Sequence, residues 1–185
     1  MEEVLRVTAA PDDFARRVRR AYEWGRFKRA VLQGAPALLL TAISAAICQR
    51  AGWSATIGAT LLVLVTGLIW YGRIGARAAY AGLKVGALAF AIPIVIFHWY
   101  FRDLCDLQTV LMVDTATGLG AGLLLGLKSA RLEARRTAFL LCAGGVATLC
   151  GTLGCLFFGS IGVASMAAGV LLSTAPFAVY HRAPA

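Results

Sequence analysis

Residues 108–127 read QTVLMVDTATGLGAGLLLGL, a run in which Asp114 is the single ionisable side chain. A helix needs ~20 predominantly apolar residues to cross the hydrocarbon core of a bilayer, so this run is a membrane span. Arg102 precedes it, whereas Lys128, Arg131, Arg135 and Arg136 crowd in behind it. The same asymmetry recurs outward along the chain. Six apolar stretches fall near 30–48, 54–71, 82–101, 108–127, 137–157 and 161–180, which places both termini and the even-numbered connections on one side. Of the 18 lysines and arginines, all but Arg50 and Arg102 lie on that side. The positive-inside rule then predicts cytoplasmic termini. The expected fold is an all-α integral membrane protein, a six-transmembrane-helix bundle preceded by a short cytoplasmic amphipathic helix.

Composition agrees. Hydrophobic residues make up 59% of the chain and mean hydropathy is +0.75, above the roughly 45–50% apolar content of ordinary soluble domains. Six crossings use about 120 residues, leaving a cytoplasmic segment of 1–32 and a membrane domain of 33–182. A net charge of +9 would point to nucleic acid in a soluble protein. Here topology and anionic lipid at the cytoplasmic face account for it, so a lipid bilayer is an expected partner and nucleic acid is not. The charged first 29 residues carry no apolar core before a small-residue cleavage site, so the first span is expected to be an uncleaved anchor.

Within 1–32, Pro11, Asp12 and Asp13 suit a first helical turn, since proline has no amide to orphan and carboxylates favour the positive dipole end. Phe14, Val18, Ala21 and Tyr22 recur at helical spacing, with Arg16, Arg19 and Arg20 interleaved. Two readings follow. The helix lies on lipid headgroups with Trp24 and Phe27 as anchors, or it offers its apolar stripe to a groove on a cytosolic protein with arginines at the rim.

The spans carry small residues rather than charges. Gly118, Gly122 and Gly126 in span four, and Ser165, Gly169 and Ser173 in span six, stand four apart. Such rows let helices approach closely. Pro36, Pro93 and Pro176 are tolerable where neighbouring helices satisfy the freed backbone.

Residues with potential chemistry gather toward the outer side. The third connection reads His98-Trp99-Tyr100-Phe101-Arg102-Asp103-Leu104-Cys105-Asp106, and Cys155 falls late in span five. Cys48 stands at the outer end of span one, while Cys150 and Cys142 lie deeper, where cysteine serves as a small apolar filler. A bacterial inner membrane has an oxidising outer face, which permits disulfides. Cys105 and Cys155 are the best-placed pair, both expected to reach the same aqueous layer. With His98 and Asp103 or Asp106 they also supply thiolate, imidazole and carboxylate, the ligand types of zinc and related ions. No other cofactor is expected.

Asp114 is the remaining outlier, two turns inside span four beside Thr115 and Thr117. An intramembrane carboxylate is costly. It serves either as interhelical glue, protonated or hydroxyl-bonded, or as a group that handles ions or protons.

Enzymatic activity is not expected. The chain has no Cys-x-x-Cys, only two histidines, and no phosphate-cradling glycine loop. Gly159-Ser160-Ile161-Gly162 lacks the Gly-x-Ser-Gly order of intramembrane serine proteases.

A basic segment of about thirty residues, six compact spans, and one cysteine each in the third connection and late in span five resembles the NrsF-type membrane anti-sigma factors. The resemblance covers most of the chain. It implies an inner-membrane protein with cytoplasmic termini that holds an extracytoplasmic-function sigma factor inactive until envelope stress arrives. It also implies that Cys105 and Cys155 are the outward-facing sensors of oxidation or metal. The sigma-binding helix would run from Phe14 to Phe27. Two rival expectations are a small transporter or channel organised around Asp114 and the glycine-lined face of span four, and a structural subunit of a larger complex.

Overall fold

The computed structural model describes residues 11–47, 51–99, 106–130, 132, 135–156 and 159–179; for 11–13, 51 and 97–99 it describes backbone alone. These residues form seven α-helices: α1 Pro11–Gln33, α2 Ala35–Ile47, α3 Ala51–Tyr71, α4 Arg73–Trp99, α5 Leu107–Ser129, α6 Arg136–Cys155 and α7 Ser160–Val179. No strand occurs among them. Six segments are long and apolar enough to cross a membrane: Phe14–Ile47, which joins α1 to α2, and one in each of α3 to α7. Large apolar side chains stand on the outside of the bundle, Val63 at 73% and Leu141 at 77% exposure. Water would penalise that surface, whereas lipid chains solvate it. The chain is a multi-pass, all-α bundle.

Glycine rows decide which helices pair. Gly82 of α4 lies against Ala143 and Val146 of α6, and Gly86 against Ala147 and Cys150; further along, Gly154 of α6 meets Phe90 of α4. On the other side Gly118, Gly122 and Gly126 of α5 lie against Met166, Ser173 and Phe177 of α7. The positional offset between partners is nearly constant in each set, so α4 runs parallel to α6 and α5 parallel to α7. A Cβ at Gly82 would sit 2.6 Å from the Ala143 carbonyl oxygen, and one at Gly169 would sit 2.6 Å from that of Thr115. Backbones this close gain dispersion contacts that no larger residue would permit. The core follows: one cluster joins α2, α3, α4 and α6 through Ala37, Leu61, Leu83 and Val146, and others join α4 to α7. α6 is the most enclosed span, α3 and α7 the least.

Connections are short. Gly72 alone, with φ +151°, links α3 to α4, and Gly159 at φ +83° precedes α7; both backbone conformations suit glycine. Arg135, next to α6, holds φ 63° without being glycine.

The N-terminal helix and the first span are continuous. Between α1 and α2 the chain stays helically bonded: the Gly34 amide donates to the carbonyls of Ala30 and Val31, both at 3.0 Å, and that of Ala37 to Gly34 at 2.9 Å. Pro36 falls in the first turn of α2, where a missing amide does little harm. Ser44 faces Ser54, Thr41 faces Gly58, Gly34 faces Leu62 and Thr66, and Phe27 faces Trp70. Antiparallel pairing with α3 thus continues through α2 into α1, until α3 ends at Tyr71. From Phe27 back to Pro11, α1 extends past the bundle by ~24 Å at 1.5 Å per residue. The first span and the N-terminal helix are one interrupted rod.

Candidate functional site

The free part of that rod is built from its own sequence. Arg19 pairs with Glu23 one turn on, at 3.1 Å, an exposed pair of the kind that adds about 0.3–0.5 kcal/mol to a helix. The Arg26 and Lys28 cations lie over the rings of Tyr22 and Trp24 at 5.8 and 5.4 Å. At its base, Arg26 donates a 2.7 Å hydrogen bond to the Trp70 carbonyl, which has no successor in α3 to bond. Phe27 meets the Trp70 ring edge-on and stacks on Trp24. Beyond this collar every residue from 14 to 26 is exposed. The stripe Phe14, Val18 and Tyr22 has exposures of 71%, 51% and 65%, with Arg16, Arg19 and Arg20 also exposed around it. The structure brings all six onto one projecting helix and gives the stripe no cover among the described residues.

A second cluster lies where α5, α6 and α7 meet near the opposite end. Asp114 is fully buried, and neither carboxylate oxygen has a hydrogen-bond partner among the described residues. Thr117 donates to the Val113 carbonyl at 2.7 Å, not to the carboxylate, so the hydroxyl-bonded form expected for Asp114 is not what this structure contains. A helical threonine reaches the carbonyl one turn back more easily than a neighbour two or three positions away. Gly162 makes room for the carboxylate: a Cβ there would lie 2.6 Å from Asp114 Oδ2 and 3.4 Å from Cys155 Cβ. The Cys155 thiol lies beside Asp114 and donates to Met166 Sδ at 3.6 Å. Carboxyl, thiol and thioether, each from a different helix, converge in one enclosed space.

Cys155 therefore differs from its expected place in an aqueous layer: it is fully buried, and among the described residues its thiol is in no disulfide. The reason is local. Gly154 lets α6 press against Phe90, and Gly162 lets α7 close over the thiol. Its expected partner Cys105 lies outside the described residues, as do Cys48, Asp103 and the His98 side chain, so the pairing and the ligand set fall there too. Asp106 is exposed next to the start of α5 and makes no side-chain capping bond. Among the described residues no three His, Cys, Asp or Glu side chains gather where a metal ion could sit. Cys150 is buried beneath Gly86, whose Cβ would lie 3.0 Å from its sulfur, and Cys142 is half-buried.

One polar cluster goes beyond the sequence reading. Ser44 donates to the Leu153 carbonyl at 2.8 Å and shares a 3.2 Å hydrogen bond with Ser54, tying α2 and α3 to the last turn of α6. Two serines at mirrored distances from the 48–50 connection were the available signal.

No family model matches the chain, and no match was found among curated proteins or solved structures.

Proposed function

We propose that this chain is a bacterial inner-membrane anti-sigma factor, with cytoplasmic termini, that sequesters an extracytoplasmic-function sigma factor through α1. The observation that carries the reading is the projecting part of α1, whose apolar stripe Phe14, Val18 and Tyr22 is uncovered while arginines surround it. An amphipathic helix held away from its own bundle suits docking into an apolar groove with an acidic rim. Aromatic anchors would carry most of that binding energy. The resemblance to NrsF-type proteins supplies the partner class.

Release would come from the far end of the bundle. Cys155 touches the α5–α7 junction directly, so oxidation or metal capture involving Cys105 and Cys155 would have to open α6 away from α7. A signal shifts the sigma-bound state only if the bound and free states differ in that packing. Co-expression of the full chain with the sigma factor and a target-promoter reporter tests the reading. Repression that persists in the Phe14→Ala/Tyr22→Ala variant would refute it.

The transporter reading draws on Asp114, whose two unpaired buried oxygens are a costly feature. The cavity between α4 and α5 passes Val113 and Thr117 without being lined by Asp114, which weakens that reading.

A further inference from the structure

The glycine seams that draw α4 onto α6 and α5 onto α7 leave the facing surfaces of α4 and α5 unfilled. Between them runs an apolar groove of about 530 Å³, walled by Leu88, Ile92 and Ile96 from α4 and by Met112, Ala116 and Leu124 from α5. At the end where α4 begins and α5 finishes, a second cavity of about 590 Å³ is lined by Arg77, Tyr80, Lys84, Leu127 and Lys128, over a buried floor of Ala81 and Phe139. On α4 the sequence of lining residues 77, 80, 84, 88, 92 and 96 is one stripe at helical spacing. On α5, residues 128, 127, 124, 120, 116 and 112 are its counterpart. The two cavities are the charged and apolar ends of a single face.

We propose that this face binds an anionic glycerophospholipid. Its phosphate would sit among Arg77, Lys84 and Lys128, with Tyr80 as a hydroxyl partner, and one acyl chain would lie in the groove. Three observations carry this. The three cations form no ion pair among the described residues, where Arg19–Glu23 is the one salt bridge. They stand at the basic end of the bundle, where an anionic headgroup would sit. From Lys84 to Ile96 the groove runs ~18 Å, close to one leaflet of a ~30 Å hydrocarbon core. Cations at such a surface each strengthen anionic-lipid binding by about 1 kcal/mol, or ~5-fold. Bulk annular lipid would fill the groove but would not select a headgroup; the cation triad does. This site stands independently of the sigma-factor reading.

The test uses the purified full chain and native mass spectrometry, with phosphatidylglycerol, phosphatidylcholine and glycerol phosphate as probes. One phosphatidylglycerol should be retained per chain, at least 10-fold in preference to phosphatidylcholine, and glycerol phosphate should not compete at millimolar concentration. Arg77→Gln/Lys84→Gln/Lys128→Gln should cut retention ~100-fold. Arg73→Gln removes a charge at the same end but outside the cavity lining, and should leave retention unchanged. Gly120→Leu fills the groove, since nothing lies within 4 Å of a Cβ there, and should expel the lipid with all three cations intact. Lys128→Gln alone, expected to lose ~5-fold, serves if the triple variant does not fold. Equal retention of the two lipids, equal sensitivity to Arg73→Gln, or competition by glycerol phosphate would overturn the proposal. So would a Gly120→Leu change that alters the oligomer while lipid stays bound, since the groove would then belong to a second copy of the chain.

Discussion

Phe27 and Trp70 meet edge to face, ring centroids 5.8 Å apart, at the point where α3 ends and α1 does not. With the Arg26 hydrogen bond to the Trp70 carbonyl, this contact fixes the direction in which the N-terminal helix leaves the bundle. A loose tether could present the stripe in any orientation, whereas a braced rod presents it in one. Bracing also lowers the ordering cost that a partner would otherwise meet on binding.

Loss of the collar should free the rod. Spin labels at residues 16 and 71 should report a narrow distance distribution in the parent protein and a broad one in Phe27→Ala/Trp70→Ala. A double-mutant cycle should assign the ring pair about 0.5–1.5 kcal/mol. An unchanged distribution would mean that the backbone continuity through Gly34 is sufficient.

The glycine seams should be intolerant and the open glycines indifferent. Gly118→Ala and Gly82→Ala each push a methyl into the carbonyl of a facing helix, so each should destabilise the bundle by roughly 1–3 kcal/mol. Gly145→Ala meets nothing within 4 Å and should change stability little or raise it slightly. Thermal unfolding in detergent ranks the three; equal midpoints would contradict the seam pairing.

Six spans were legible because bilayer thickness fixes both the length and the polarity of each apolar run. Gly118, Gly122 and Gly126 announced a seam, since their spacing puts them on one face. Their partner was not legible: a small-residue row says that some backbone comes close, not which one, and only the three-dimensional offsets show α7. Pro36 was legible as tolerable, but not that it falls in a first helical turn, where a missing amide costs little and the rod continues through Gly34. The burial of Cys155 depends on Gly154 and Gly162 together, from two helices, which no linear spacing encodes. Arg77, Lys84 and Lys128 were legible only as part of the charge asymmetry, because their convergence needs α4 and α5 side by side.

The charge asymmetry predicts a sidedness that is open to direct measurement. Reporter fusions at residue 104 should report the outer compartment and fusions at residue 132 the cytoplasm. A cytoplasmic signal at residue 104 would remove the six-span topology.

Burial of Cys155 predicts its reactivity. A water-soluble maleimide should label it far more slowly than an unfolded control, and an oxidant that releases the sigma factor should have to open the α6–α7 contact first. Cys105 and Cys155 should then lose reactivity together. Independent labelling of the two under oxidising and metal-loaded conditions alike would exclude a paired sensor.

Asp114→Asn preserves shape while replacing a buried carboxyl group whose oxygens have no hydrogen-bond partner among the described residues. Sigma-factor repression should be retained in this variant. A transporter requires the reverse, with liposome ion flux lost in Asp114→Asn and unaffected by changes in α1.

The most direct measurement is the affinity of the full chain, in nanodiscs, for an extracytoplasmic-function sigma factor, the partner class that the proposed function assigns to it. Phe14→Ala/Tyr22→Ala should remove on the order of 2–4 kcal/mol, or ~30- to 1,000-fold in Kd, while Cys105→Ser/Cys155→Ser should leave Kd unchanged and abolish only the response to stress. Unaltered binding in Phe14→Ala/Tyr22→Ala, with the variant inserted normally, would contradict the account.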